Sequence, residues 1–386
     1  MKNYIEIASA HIRLEEGTPV IEQLLLECYM NPGISTKELA RATLLPVPIA
    51  AAIKKELIKA GALTQANGVH CTVAGEAWIE KEWGFSGINK NLYKELMDHG
   101  GESHPDLADI LSVLRDVMSL RPQVNVQIDQ SKCTAETSLR RAILCLKQHS
   151  LVGKRILCVG DDDLVSVSIG LLLQRLFPNG GHLRTAIHVT DIDERFLHYI
   201  REIAEREMLP IQCHHHDLRQ PLREHMHGHY DCFFTDPPYT LQGMTLFVSR
   251  GISALKKRKG LPIFLSFAHK SPAFTLAMQR EFIRMGLTTG TTIPRFNEYE
   301  GAEMIANRSQ MIILKTTDQT TPECTDVFVD ALYTGEVKRT LRIYRCKQCG
   351  KKVDVGVQGD VSTIEQLKNQ GCPCCKNDTF DMVERS

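Results

Sequence analysis

The middle of the chain predicts an α/β fold built on a doubly wound, mostly parallel sheet. Three observations predict it. Residues 155–160 read Arg-Ile-Leu-Cys-Val-Gly, an apolar run closed by glycine, as expected of a strand buried on both faces. Comparable runs recur at Thr185–Thr190, Ile211–His214, Tyr230–Thr235, Leu261–Phe267 and Met311–Leu314. Helical spacing separates them, as in Leu171–Phe177 before the Pro178–Gly181 loop and at the apolar positions 196, 197, 200 and 203.

The ends of these runs are acidic. Gly160 is followed by Asp161, Asp162 and Asp163, where a phosphate-cradling loop would carry glycines and backbone donors instead. Three anions suit a cationic ligand. Asp191 follows the second run, the position that binds a ribose diol in nucleotide-binding sheets; it lies 31 residues beyond Gly160, and the Pro178–Gly181 loop absorbs the excess over the usual spacing. Asp217 follows the third run and is placed to meet an adenine amino group. Asp236-Pro237-Pro238-Tyr239 ends the fourth. Two prolines stiffen the backbone, so the Asp236 carboxylate and Pro237 carbonyl can receive an amine beneath Tyr239. The bland reading is a strand-ending Pro-Pro turn. The tetrapeptide resembles the amine-positioning motif of amino-group methyltransferases.

Residues 1–83 form a first unit. Pro19–Tyr29 has helical spacing, and Ser35-Thr-Lys-Glu38 matches a capping box that opens a helix to about Ala42. Pro46 begins a third helix to Ala60, and a two-stranded ribbon with Asn67-Gly68 at its turn follows. The order resembles a winged helix, either a DNA reader or a reused packing module. Eight Lys+Arg against ten Asp+Glu, a balance of −2, argue against a phosphate-binding role. Residues 84–150 read as a helical linker: Ile88–Met97, a Gly100-Gly101 break, Pro105–Ser119, and a helix capped by Thr134 with Glu136 at its positive end. Gln130 and Thr134 alternatively line the mouth of the cofactor pocket. The α/β domain spans 151–335. In it, His214–His216 and His225, His227 and His229 read as solvated loop histidines rather than metal ligands.

The tail, 336–386, carries Cys346, Cys349, Cys372 and Cys375 in two C-x2-C pairs 22 residues apart, the spacing of a zinc ribbon holding one structural Zn²⁺, with Cys374 spare. Thirteen cysteines in a chain without a leader-like start or a long apolar run fit a reducing cytoplasm. Lys+Arg and Asp+Glu are both 46 of 386 residues, which excludes a strongly basic nucleic-acid binder. No membrane and no stable nucleic-acid partner is expected, and a homodimer is left open.

Gly160-Asp-Asp-Asp163 and Asp236-Pro-Pro-Tyr239-Thr240, behind the winged-helix-like unit, resemble the branched-chain polyamine synthase family, the N(4)-bis(aminopropyl)spermidine synthases. Asp191-Ile-Asp-Glu-Arg195 and the Asp129–Glu136 stretch are similar as well, so the resemblance covers about residues 1–335. It implies a Rossmann-like, methyltransferase-type sheet. It also implies aminopropyl transfer from decarboxylated S-adenosylmethionine to the central secondary amine of spermidine, once or twice, with release of methylthioadenosine. On that reading Asp163, Asp236 and Tyr239 are catalytic. Asp161, Asp162, Pro237, Pro238 and Glu298 contact substrate, and Gly160, Asp191, Asp217, Gln130 and Thr134 bind the co-substrate. Phe296–Glu300 supplies either a lid of aromatic and acidic groups or a polar surface loop. The rival reading is an S-adenosylmethionine-dependent amino-group methyltransferase acting on nucleic acid, against which the three aspartates would repel phosphate. A third is a regulator with a degenerate middle domain.

Overall fold

A computed structural model describes residues 3–12, 17–180, 184–302, 305–333, 336, 341–356, 359–361 and 363–385. The expected boundary at 335 and the last residue of the Pro178–Gly181 loop fall outside these.

Helices α1 (Tyr4–His11), α2 (Thr18–Met30), α3 (Thr36–Ala42) and α4 (Val47–Ala60) precede the short strands β1 (Leu63–Gln65) and β2 (Val69–Cys71) and helix α5 (Val73–Glu82). The capping box forms as predicted: the Ser35 hydroxyl accepts the Glu38 N–H, and the Glu38 carboxylate accepts the Ser35 N–H. Gly61 ends α4 at φ +88°, the left-handed conformation that glycine adopts without Cβ strain. β1 and β2 pair antiparallel, and Ile34 bridges to Val69. Ile21, Leu24, Leu25, Ile53 and Leu57 are fully buried in the core of this unit. Glu22 fastens it to the sheet by ion pairs to Lys154 and Arg258. Burial works against this carboxylate, yet the two cations hold it down to about 2.

Helices α6 (Lys90–Asp98) and α7 (Ala108–Leu120) lead through β3 (Lys132–Cys133) to α8 (Ala135–Lys147). Next come β4 (Arg155–Val159), α9 (Val165–Leu176), β5 (Ala186–Asp191), α10 (Glu194–Arg206), β6 (Ile211–His215), β7 (Cys232–Thr235), α11 (Leu241–Ala254) and β8 (Pro262–Phe267). Helix α12 (Pro272–Arg284) and strands β9 (Leu287–Glu300) and β10 (Arg308–Thr316) complete the domain. Eight strands form one sheet in the order β3-β9-β10-β8-β7-β4-β5-β6. β8, β7, β4, β5 and β6 run parallel, while β10, β9 and β3 join antiparallel.

Register places the site. Val159 pairs with Thr190 on one side and Thr235 on the other. The residues that follow these three, Gly160, Asp191 and Asp236, therefore stand abreast at the carboxyl end of the sheet.

Two expectations need correction. Phe296–Glu300 is neither a lid nor a surface loop: it is the end of β9, paired with β10 and β3, with Asn297 and Tyr299 buried. Its polar composition hid the strand, because these buried polar groups find their hydrogen bonds inside the fold. His214 is likewise no loop residue. It lies on β6, stacked against buried His188, with 3.0 Å between His188 Nδ1 and His214 Nε2. Desolvation pushes His188 down to about 4.

The tail forms a small sheet, β12-β11-β13, from β11 (Arg342–Cys346), β12 (Lys352–Val355) and β13 (Phe380–Arg385), with helix α13 (Ile364–Gln370). No helix among the described residues is long and apolar enough to cross a membrane.

Candidate active site

The turn after β4 needs a glycine for its conformation: Gly160 sits at φ +77°. A side chain there would find room, so the demand comes from the backbone. The three aspartates that follow point to three different places. Asp161 is buried, and its two oxygens accept the Val165 and Ser166 N–H groups at 2.7 and 3.1 Å, a carboxylate closing the positive end of α9. Burial still dominates and pushes Asp161 up to about 7. Asp162 is half-buried, with Oδ2 receiving the Ser131 N–H at 2.9 Å. Burial first, then the charges of Asp163, Asp191 and Asp236, lift it well above the usual carboxylate range. Asp163 is buried behind the other two, Oδ1 accepting the Cys133 N–H at 3.0 Å and Oδ2 the Arg141 guanidinium at 2.7 Å. Burial would raise it, but Arg141 and the Cys133 N–H outweigh that and hold it below its ordinary value.

Asp191 braces the turn from β5, its oxygens accepting the Asp161 N–H at 3.0 Å and the Asp193 N–H at 2.8 Å. Gln130 reaches the same side, donating to Asp193 at 3.1 Å and accepting the Asn125 N–H at 2.7 Å. Thr134 caps α8 by accepting the Thr137 N–H at 3.2 Å, so the capping reading describes its side chain. Asp217 is half-buried beyond β6 and accepts the Arg219 N–H at 2.9 Å.

After β7, Asp236 and Tyr239 are half-buried while Pro237 and Pro238 are buried, and the Thr240 hydroxyl caps α11 by accepting the Gly243 N–H at 2.9 Å. Tyr239 donates to Asp236 Oδ1 at 3.0 Å, and Tyr299 donates to Oδ2 at 2.6 Å. Arg141 reaches Oδ2 at 3.0 Å. Burial and the nearby Asp163 charge push Asp236 up to about 6 against the pull of Arg141 and Tyr299. Burial and the Asp236 charge keep both tyrosines neutral donors. Glu298 faces away from Asn297 and Tyr299 along β9 and pairs with Arg308 at 3.3 Å, while its backbone binds the Thr134 N–H and the Thr137 hydroxyl.

The result has two layers. Asp162, Asp236 and Tyr239 keep accessible surface; Asp161, Asp163, Asp191, Arg141, Asn297 and Tyr299 are buried beneath them. Sequence reasoning missed Arg141, Asn297 and Tyr299, because their partners lie far away along the chain. The accessible layer can accept protons and hold cationic amines. It offers nothing to attract a phosphate.

In the tail, the sulfurs of Cys346, Cys349, Cys372 and Cys375 lie within 4.8 Å of one another, and Cys374 is exposed outside the group. The Cys346–Cys375 and Cys349–Cys372 sulfurs are 3.5 Å apart. Tetrahedral zinc thiolates at about 2.3 Å from the metal require sulfurs about 3.8 Å apart, so the donor set fits.

Comparison with known proteins bears on the fold and the family. A crystal structure of the branched-chain polyamine synthase from Thermus thermophilus, in complex with N4-aminopropylspermidine and 5′-methylthioadenosine, superposes with a TM-score of 0.53 at 24% identity, covering 86% of this chain and 97% of that one, and shares its fold. An uncharacterized protein of Methanocaldococcus jannaschii is 35% identical over 373 residues, 96% of this chain and 90% of its own. The N(4)-bis(aminopropyl)spermidine synthase of Thermococcus kodakarensis is 30% identical over 263 residues, 66% of this chain and 70% of its own. Residues 109–363 match the family described as the branched-chain polyamine synthase A C-terminal domain, and with two thirds of its length inside that match the chain belongs to the branched-chain polyamine synthase family.

Proposed function

We propose that the protein moves aminopropyl groups from decarboxylated S-adenosylmethionine to the central secondary amine of spermidine, giving N(4)-aminopropylspermidine and then N(4)-bis(aminopropyl)spermidine. The observation that carries this is the accessible acidic layer, Asp162 and Asp236 with Tyr239, abreast of Gly160 and Asp191. The acceptor nitrogen attacks the aminopropyl carbon beside the sulfonium. A C–N bond forms, the C–S bond breaks, and its electron pair leaves with methylthioadenosine. Charge is relocated rather than created, so positioning carries much of the catalysis. In the first round the nitrogen must also shed a proton, and a carboxylate raised toward neutrality is suited to take it. After the second attack no N–H remains, so a base acting at that stage serves the first round alone. Asp191 and Gly160, with Gln130 and Thr134 nearby, hold the ribose side, and Asp217 the adenine. Pro237 and Pro238 fix the backbone under the amine. Asp161, buried against the start of α9, supports the turn rather than meeting substrate, and Glu298 is turned to Arg308.

Incubating the protein with spermidine and decarboxylated S-adenosylmethionine should yield species one and two aminopropyl units heavier by mass spectrometry, with matching methylthioadenosine. Methyl transfer from S-adenosylmethionine to DNA, without those products, would instead select the methyltransferase reading.

The four cysteines are proposed to hold one structural Zn²⁺. Among the described residues the tail buries Tyr344, Val353, Val355 and Leu367, with Val361, Ile364 and Phe380 packed against them, too little to order such a segment without a staple. Metal analysis after exhaustive dialysis should find one zinc per chain, reduced to background in a Cys349→Ser/Cys372→Ser variant; a metal-free wild-type protein would remove the ribbon. The N-terminal unit is proposed to be a winged helix used for packing: α1 packs on α4, and Glu22 ties the unit to the sheet through Lys154 and Arg258.

A further inference from the structure

The buried layer contains a cation bonded to two of the site's carboxylates; a second buried cation, Arg121, donates to the Cys133 carbonyl at 3.0 Å and acts on Asp163 through its charge. Arg141 and Asp163 are each 3% exposed at the side chain, and Asp236 is 11% exposed. Four hydrogen bonds hold the guanidinium: Nε to Asn297 Oδ1 at 2.9 Å, Nη1 to Asp163 Oδ2 at 2.7 Å, and Nη2 to Asp236 Oδ2 at 3.0 Å and Tyr299 Oη at 3.1 Å. Asn297 is itself oriented, because its amide nitrogen donates to Ser309 Oγ at 2.9 Å and the Gln310 carbonyl at 3.2 Å. Its oxygen is thereby turned to Arg141. A fork fixed on three sides holds the fourth partner in place, and that partner is Asp236.

We propose, resting on the aminopropyl-transfer reading, that Arg141 is a positioning residue that keeps Asp236 charged and aimed at the acceptor amine, with Asp163 serving as its buried counter-ion rather than meeting substrate. The groups facing Asp236 are Arg141 from α8, Asp162 and Asp163 after β4, Tyr239 after β7 and Tyr299 from β9. Cys133, on β3, binds Asp163 through its N–H and thiol and accepts Arg121 Nη1 at its carbonyl, which brings that cation to the Asp163 side. With Arg141 present, two carboxylates share one guanidinium. Without it, the two carboxylates face each other with only the charge of Arg121 on the Asp163 side to offset them, and one of such a pair holds its proton to higher pH. An acceptor nitrogen would then meet a protonated carboxyl that cannot take its proton.

The test is methylthioadenosine release with spermidine across pH 5–10. Arg141→Met should move the acid limb of kcat/KM at least one pH unit upward, a tenfold loss at pH values below the limb. Arg141→Lys, which keeps the charge but not the fork, should recover part of that shift. Asp163→Asn removes the like charge and leaves the guanidinium to Asp236 alone. The acid limb of its activity should move downward. Tyr299→Phe removes a donor to Asp236 and should move the limb upward. These last two keep Arg141, so they decide the matter even if Arg141→Met fails to fold. A folded Asp163→Asn protein without activity, or an Arg141→Met or Tyr299→Phe enzyme that is slower but has an unmoved acid limb, overturns the assignment while leaving the function intact. A wild-type protein that transfers no aminopropyl group overturns both.

Discussion

Asp236→Asn should slow the first transfer to spermidine by about 10²–10⁴-fold, the range over which a positioned base contributes. Asparagine keeps one oxygen for Tyr299 and Arg141 and turns its amide N–H to the Tyr239 hydroxyl, which can accept; the Arg141–Asp163 pair stays closed, but the amide cannot accept a proton. The wild-type rate should rise with pH through about 6, where Asp236 loses its proton, and the variant should lack that limb. Stability should not fall with the change. The folded pKa of Asp236 lies above its unfolded value, so charging this carboxylate opposes folding increasingly as pH climbs from the ordinary carboxylate range through about 6. A neutral amide avoids that cost at pH 8. Single-turnover release of methylthioadenosine, with thermal unfolding at pH 8 as the control, measures both. A folded variant within a few-fold of the wild-type rate would remove Asp236 from proton transfer.

Arg250→Met should cost about 3–5 kcal/mol of stability, because it strands a set of buried acceptors. Arg250 is 1% exposed and lies on α11. It donates to the Leu218, Arg219, Cys324 and Asp326 carbonyls at 2.9, 3.1, 2.8 and 2.7 Å. Those contacts tie the segment after β6, which carries Asp217, to the segment after β10. Burial lowers the guanidinium's pKa, offset in part by the nearby Cys324 and Asp326 charges, while its direct hydrogen bonds all go to carbonyls. Urea unfolding should show the midpoint falling, with Arg250→Lys recovering part of it. A loss under about 1 kcal/mol would mean that water reaches the carbonyls.

The parts of the site that were legible are those whose chemistry is local. Gly160 and the three aspartates announce themselves because a buried strand must end in a turn, and four consecutive residues show both the turn and its charge. Asp236-Pro-Pro-Tyr239 does so because two prolines leave the backbone little choice. The capping box and the paired cysteines are fixed spacings of a few residues. Arg141 was not legible. It follows Arg140, and nothing nearby separates the two, yet Arg140 pairs at the surface with Glu102 while Arg141 is turned inward by one helical step. Its partners lie 22, 95, 156 and 158 residues further along. Tyr299 was hidden for the same reason, inside a stretch whose polar residues suggested a surface.

The sequence by itself determined the α/β alternation, the acidic strand ends, the Pro-Pro turn and the four-cysteine tail, because each follows from residues close enough along the chain to constrain one another. Tertiary structure alone decided which acids stay accessible. Three adjacent aspartates look equivalent in the sequence. Strand register and the packing of α8 and β9 against the turn leave Asp162 accessible, use Asp161 to close α9, and bury Asp163 against Arg141.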